Sequence, residues 1–163
     1  MDALTPRGGP RPTTTSQIPH SQIDQQPSDD RYLSAVLDAA GSWPGVREGE
    51  SAISVEGARA LVLADDLPAG PAEAFFVGRE FCHGHAKGDH SLHLTLPFDL
   101  VSEVEAAGWT EPHFLVHSGR LPRTNVMLYA PRDDSEVAVA LAIVRASYDF
   151  ACGVTATAST TTI

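Results

Sequence analysis

Four of the chain's seven histidines fall within the sixteen residues from Arg79 to Leu94. The segment reads REFCHGHAKGDHSLHL, and it supplies an H-x-H pair, His83 and His85, followed by His93. Imidazole is a general base near neutral pH, and it is also a common ligand for zinc, iron and copper. The spacing therefore indicates a site for proton transfer or for a metal ion.

We predict that this segment forms a β-hairpin, with strands REFCHGH and DHSLHLTL joined by the loop AKG. Gly88 at the last loop position suits the left-handed conformation that such loops favour, and the register then pairs His85 with Asp89 and His83 with Ser91. Because side chains alternate between the two faces of a strand, one face carries Arg79, Phe81, His83, His85, Asp89, Ser91 and His93. The opposite face carries Cys82, Leu92, Leu94 and Leu96, so Cys82 is expected in the core and not as a nucleophile.

Three interpretations of the polar face stay open at this stage. It is a solvated sheet surface, a metal site with ligands His83, His85 and His93, or a metal-free site in which imidazoles act as general bases. Arg79 favours the third interpretation, because a guanidinium binds an anionic oxygen and repels a cation held close to it. Glu80 points away from the histidines in this register, which argues against a role as catalytic acid. We therefore expect no cofactor and no tightly held metal.

Composition limits the partners that this site can serve. The 163 residues are 42% hydrophobic, which is enough for one core, and the formal net charge is −10 with a pI of about 4.9. Negative charge disfavours binding to nucleic acid and to anionic membranes. The sequence has no apolar run of about 20 residues for a membrane span, and its first residues lack the apolar centre of a secretory signal. We expect a cytoplasmic protein that binds a small molecule, in an oligomeric state that the sequence does not specify.

The surrounding pattern predicts the elements that position the hairpin. Helices are expected at 29–41, 97–108 and 133–151, where apolar residues recur at helical spacing. Strands are expected at 51–57, 58–64, 74–85, 90–96, 113–117 and 125–131. No βαβ rhythm is present, so the prediction is an α+β fold in one compact domain, with a mostly antiparallel sheet and about three helices on one face.

The ends of the chain have a different composition. Residues 1–30 are rich in proline, glycine, threonine, serine and glutamine, and we expect a disordered leader there. The folded domain is then 31–152, and 153–163 is expected to be a flexible tail. On this hypothesis, deleting residues 1–28 leaves the fold intact.

Residues 75–152 resemble the catalytic domain of the fungal luciferases that oxidise 3-hydroxyhispidin, and the small bacterial proteins grouped with them. The similarity rests on Arg79-Glu80, His83-x-His85, Asp89, Leu92-His93-Leu94, Gly108-Trp109, His113, Tyr129-Ala130-Pro131-Arg132 and the final helix. It implies a small α+β enzyme domain in which O2 oxidises an enol-bearing α-pyrone without an organic cofactor. It also implies site roles for Arg79, Glu80, His83, His85, Asp89, His93 and His113.

The combined expectation is an enzyme that activates an enolic, aromatic or polyketide-like substrate by acid/base chemistry, with O2 as a candidate co-substrate. His83, His85, His93 and Arg79 are the catalytic candidates, and substrate-binding candidates are Asp89, Ser91, His113, Tyr129 and Trp109. Trp109 has the alternative role of a core anchor. The alternative functions are an oxygen-independent cyclase or isomerase, and a non-catalytic module that binds a small ligand or a metal.

Overall fold

Six strands and three helices make up the fold in the computed structural model, which describes residues 4–154. The strands are β1 (Val46–Glu50), β2 (Arg59–Leu63), β3 (Glu80–Gly84), β4 (Leu92–Thr95), β5 (Thr110–Pro112) and β6 (Asn125–Leu128). The helices are α1 (Arg31–Gly41), α2 (Phe98–Ala106) and α3 (Asp134–Ala151), with short 3-10 turns at Ala72–Ala74 and Phe114–Val116. All strands pair antiparallel in one sheet of order β1-β2-β3-β4-β6-β5, which confirms the predicted α+β class.

The hydrophobic core lies between the helices and one face of the sheet. Its fully buried members come from α1, α3 and the central strands, and α2 adds Val101 and Val104. Asp133 caps α3, because its side chain accepts the Glu136 amide at 2.9 Å. Burying this apolar surface fixes which face of each strand is turned away from the core, and the histidines lie on that outer face.

Two predicted strands do not form. Residues 51–57 are irregular, because the Ser51 hydroxyl and the Ala52 amide bind the Glu80 carboxylate; the edge strand β1 lies just before them. Residues 113–117 instead contain a 3-10 turn, in which His113 caps the turn by accepting the Leu115 amide. The strand in this part of the chain is β5, which lies just before the predicted range, at Thr110–Pro112.

The hairpin of β3 and β4 has a different register from the predicted one. His83 pairs with His93, and His85 donates its amide to the Ser91 carbonyl at 2.9 Å, so the connection is 86–90. Gly88 does lie in the left-handed region, with φ of +107°. The predicted pairing was wrong by two residues. Because the side-chain period of a strand is also two, His83, His85 and His93 stay on the predicted face.

A β-bulge changes the face of the residues before Cys82. Leu61 pairs with Cys82 but Val62 pairs with Glu80, which leaves Phe81 as the extra residue in β3. Phe81 therefore enters the core, and Glu80 turns to the histidine face, the reverse of the prediction for both. Arg79 donates to the Leu67 carbonyl at 2.7 Å and has no hydrogen bond to a histidine among the described residues, so its predicted role beside them is not supported.

Residues 4–26, which we call the N-terminal strap, lie against the sheet. Trp109 donates its indole N–H to the Thr5 carbonyl at 2.8 Å, and the Arg7 amide donates to the Ala107 carbonyl at 2.8 Å. Gln22 is 2% exposed and His20 is 3% exposed. The expected disorder of residues 1–30 is therefore wrong for this part, because hydrogen bonds to distant residues hold the strap and Leu4 packs against the core.

Most of the expected flexible tail, 153–163, lies outside the described residues. Within the described residues, none of the helices has both the length and the apolar character that crossing a bilayer requires.

Candidate active site

A cavity of about 540 Å³ lies between the outer face of the sheet, the strap and three loops. Five histidines line it: His20, His83, His85, His93 and His113. The other lining residues are mostly apolar and come from the loops and the strap: Ile18, Pro19, Ile53, Ser54, Val55, Phe76, Leu115 and Leu121. None of these lining residues is a lysine or an arginine. The size and the apolar wall are typical of a site for a small organic molecule.

His83 is held by a carboxylate that lies behind it. The Nδ1 atom donates to Glu80 Oε1 at 2.8 Å, and both side chains are almost fully buried. Burial alone would raise the pKa of Glu80, but hydrogen bonds from His83, Ser51 and Ala52 outweigh it and lower that pKa. Burial lowers the pKa of His83, against the opposing effect of Glu80. The neutral ring therefore keeps its proton on Nδ1 and an unshared pair on Nε2.

His85 repeats this arrangement with a second carboxylate. Its Nδ1 atom donates to Asp89 Oδ1 at 3.0 Å, and Ser91 donates to the same oxygen through its amide at 3.1 Å and its hydroxyl at 3.0 Å. The Gln22 amide of the strap donates to Asp89 Oδ2 at 2.7 Å. Burial would raise the pKa of Asp89, but these hydrogen bonds lower it. Asp89 and Ser91 therefore orient His85 from behind and do not line the cavity.

His93 is the central ring of the group. Its centroid lies 5.2 Å from that of His83, 5.0 Å from that of His85 and 5.4 Å from that of His20. The Nε2 atom donates to the His20 carbonyl at 3.0 Å, which leaves an unshared pair on Nδ1. Burial lowers the pKa of His93 well below its ordinary value, and the neighbouring rings add to the effect.

His20 comes from the strap and completes the group. Its Nε2 atom donates to Glu111 Oε1 at 2.8 Å, and the other Glu111 oxygen accepts the Tyr129 hydroxyl at 2.8 Å. The Glu111 carboxylate also accepts the Thr14 hydroxyl at 2.6 Å. The other ring nitrogen of His20, Nδ1, is buried and has no hydrogen-bond partner within the part of the chain that the structure describes.

His113 closes the group at the loop side of the cavity. Its ring centroid is 4.7 Å from that of His20 and 5.3 Å from that of His93. The Nδ1 atom accepts the Leu115 amide at 3.2 Å, so the neutral ring carries its proton on Nε2. Burial lowers the pKa of His113 to about 4, with a further contribution from His20.

The structure thus brings together four of the nine candidates from the sequence: His83, His85, His93 and His113. Tyr129 is buried behind Glu111 and does not line the cavity; burial and the carboxylate both raise the pKa of its hydroxyl. Trp109 belongs to the hydrophobic core, which is the alternative role that the sequence allowed. Arg79, Asp89 and Ser91 also lie outside the cavity wall.

Sequence reasoning missed two groups of the site, His20 and Glu111. The family resemblance implied a site role for Glu80, but the predicted register placed its side chain on the wrong face. Glu111 lies on β5 opposite Met127, which itself pairs with His93, so all three belong to one row across the sheet. The alternation of β5 would have placed Glu111 on the histidine face had this short strand been recognised. No local pattern in the strap predicts the burial of His20, because its position depends on contacts with distant residues.

The chemistry available here is that of neutral imidazoles with unshared pairs. His83, His85 and His20 each donate one N–H to a carboxylate, and each has its second ring nitrogen free. A carboxylate behind an imidazole fixes its tautomer and stabilises the imidazolium that forms when the ring takes a proton. Such nitrogens can act as general bases or as metal ligands.

Comparison with known proteins connects this cavity to one group of enzymes. Residues 78–147 match the sequence model of the Luciferase domain family. The chain is 31% identical over 163 aligned positions to the luciferases of Armillaria ostoyae, Armillaria gallica and Armillaria mellea, an alignment that covers 90% of this chain. The chain spans 60% of the length of these relatives. No solved structure matches the chain. The predicted resemblance to a fungal luciferase-like domain is thus confirmed.

Proposed function

We propose that this protein is a luciferase-like enzyme that oxidises a small enolic, aromatic or polyketide-like molecule with O2 in the histidine cavity. The observation that carries the proposal is the pairing of His83 with Glu80 and of His85 with Asp89. Both pairs lie at the wall of one cavity, and both offer Nε2 to whatever binds there. The similarity to the Armillaria luciferases supports the same class of enzyme.

The first step is removal of the enol proton by one of these imidazoles. The ring accepts the proton on Nε2, and the carboxylate behind it stabilises the positive charge that develops. Because burial lowers the pKa of His83, the ring is in its basic form at neutral pH. General-base assistance of this kind is typically worth about 10²–10⁴ in rate.

The second step is reaction of the electron-rich enolate with O2. A C–O bond forms as two electrons pass from the enolate to O2, and the imidazolium returns its proton to the terminal oxygen of the resulting hydroperoxide. The substrate is oxidised and O2 is reduced to the peroxide level, so the step needs no further oxidant. The apolar side chains of Val55, Phe76 and Leu121 hold the ring system and limit access of water to it.

Steady-state turnover of an enol-bearing α-pyrone by the full chain tests the assignment of the bases. We expect His83→Gln or His85→Gln to lower kcat by about 10²–10⁴ with an unchanged melting temperature. The matched control is His117→Gln, since His117 is exposed and lies outside the cavity. Wild-type kcat in both cavity variants would show that neither imidazole is the base.

A further inference from the structure

Three of the five cavity histidines meet closely enough to share one ion. His20, His93 and His113 each offer a ring nitrogen, and these three nitrogens all lie within 4.8 Å of one another. They come from the strap, from β4 and from the loop after β5, so the fold and not a local motif brings them together. His83 and His85, which the sequence offered as ligands beside His93, do not belong to this set.

The remaining nitrogens of two of these rings already have partners. His20 Nε2 donates to Glu111 at 2.8 Å, and His93 Nε2 donates to the His20 carbonyl at 3.0 Å. Histidines that ligate metals almost always donate their other N–H to a carboxylate or a backbone carbonyl in this way, which fixes the ring and strengthens the ligand. Glu111 is itself held by Thr14 and Tyr129, so this support is rigid.

A buried ring nitrogen without a partner marks this place as one where a ligand would be stabilised. His20 is 3% exposed, and its Nδ1 atom has no hydrogen-bond partner among the described residues. Leaving a buried acceptor unsatisfied is energetically unfavourable. A cation at the centre of the three rings would satisfy it.

The electrostatics of the cavity also favour a cation. The sequence argued against a metal in part because Arg79 was expected on the histidine face, and the guanidinium instead binds the Leu67 carbonyl. The lining of the cavity contains no lysine or arginine, whereas the Glu111 carboxylate lies directly behind His20.

We propose that His20, His93 and His113 form a binding site for one divalent transition-metal cation such as Zn²⁺ or Co²⁺. Three protein nitrogens would leave a fourth position open, as in catalytic metal sites, and all three rings line the same cavity as His83 and His85. The proposal goes beyond the proposed function, because it concerns binding and holds whether or not the enzyme uses the ion in turnover.

The three ligands do not contribute equally. His113 accepts the Leu115 amide at Nδ1, so binding through Nε2 requires the ring proton to move to Nδ1 and that contact to break. His20 and His93 need no such change, because their second nitrogens are already protonated and held. Removal of His113 should therefore weaken binding less than removal of either of the others.

Titration of the chelator-treated full chain with Co²⁺ tests the proposal without any measurement of turnover. We expect one ion per chain, with the visible absorption of a tetrahedral nitrogen-ligated Co²⁺, and competition by Zn²⁺. His20→Ala and His93→Ala should lower the affinity by more than 100-fold. Glu111→Gln, which keeps the shape of the side chain, should lower it by about 10–100-fold, as for other residues that support a ligand.

His117→Ala is the matched control, because His117 is exposed and should leave the affinity unchanged. Far-ultraviolet circular dichroism of each variant distinguishes loss of the metal site from loss of the fold. The Glu111→Gln variant is a second test, because it retains all three ligands. Absence of Co²⁺ binding in the wild type would overturn the proposal. Binding that survives in both His20→Ala and His93→Ala at wild-type affinity would overturn it equally.

Discussion

His93 donates its Nε2 proton to the backbone carbonyl of His20 at 3.0 Å. This one bond joins the central strand β4 to the strap, 73 residues earlier in the chain. It fixes the tautomer of His93, and it holds the backbone of His20 where the His20 ring lines the same cavity. The strap is therefore part of the site, and changes in the strap should affect both stability and ligand binding.

We expect Gln22→Ala to destabilise the protein by about 1–3 kcal/mol, because the buried Ala130 amide loses the Gln22 side-chain oxygen that accepts it at 2.9 Å. Urea unfolding measures this change. Gln17→Ala is the matched control, since Gln17 is exposed in the same strap. Equal stability of the two variants would mean that the strap is not held as described.

We expect Glu80→Gln to lower kcat by less than His83→Gln does, and to move the acid limb of the kcat–pH profile to lower pH. The carboxylate raises the proton affinity of His83 against the effect of burial, and a neutral amide removes that contribution. Glu73→Gln, at an exposed position, should leave the profile unchanged. An unaltered profile in Glu80→Gln would exclude a role for this pair in proton transfer.

Metal-free protein should lose stability as the pH falls below about 6.5. Burial lowers the pKa values of His83 and His93 below the ordinary value of about 6.5, so the unfolded chain binds more protons than the native protein below that pH. Each of these rings lowers the free energy of unfolding by up to about 1.4 kcal/mol for each unit by which the pH falls. Below about pH 4.5 the carboxylates of Glu80 and Asp89, whose pKa values are lowered, add a further loss in the same direction.

Urea midpoints measured between roughly pH 7.5 and roughly pH 5 test this dependence. His93→Gln should flatten the profile, while His117→Gln should not change it. A wild-type stability that is constant over this range would contradict the burial of neutral rings.

Gly84 should tolerate no side chain without cost, because it separates His83 from His85 on β3 and lies directly under α1. A Cβ atom there would meet Leu33 Cδ1 at 2.7 Å and Leu37 Cδ1 at 3.0 Å. We expect Gly84→Ala to cost about 1–3 kcal/mol in calorimetry, as other overpacked cores do. Gly49→Ala, where a Cβ would meet nothing within 4 Å, should be close to neutral, and equal effects at the two positions would contradict this packing.

Local periodicity predicted much of the fold and of the histidine face. The stripes of α1 and α3 and the alternation of β4 are set by burial, so these elements lie where the sequence places them. The hairpin histidines stay on one face in spite of the two-residue change of register, because an even shift preserves the alternation.

Non-local geometry decided the rest. The bulge at Phe81 depends on how β3 packs against β2, and this single extra residue moves Glu80 into the site and Arg79 out of it. The position of His20 depends on hydrogen bonds between the strap and residues about 70 to 110 positions later in the chain. Neither feature has a signature in a short window of sequence.

The central claim is that the histidine cavity couples deprotonation of an enol to reaction with O2. An oxygen electrode, combined with chromatography of an enol-bearing α-pyrone, measures both reactants during turnover by the full chain. We expect one O2 to be consumed for each substrate molecule, and both rates to fall together in His83→Gln. Consumption of the pyrone without O2 uptake, or binding of the pyrone with no consumption at all, would contradict the account.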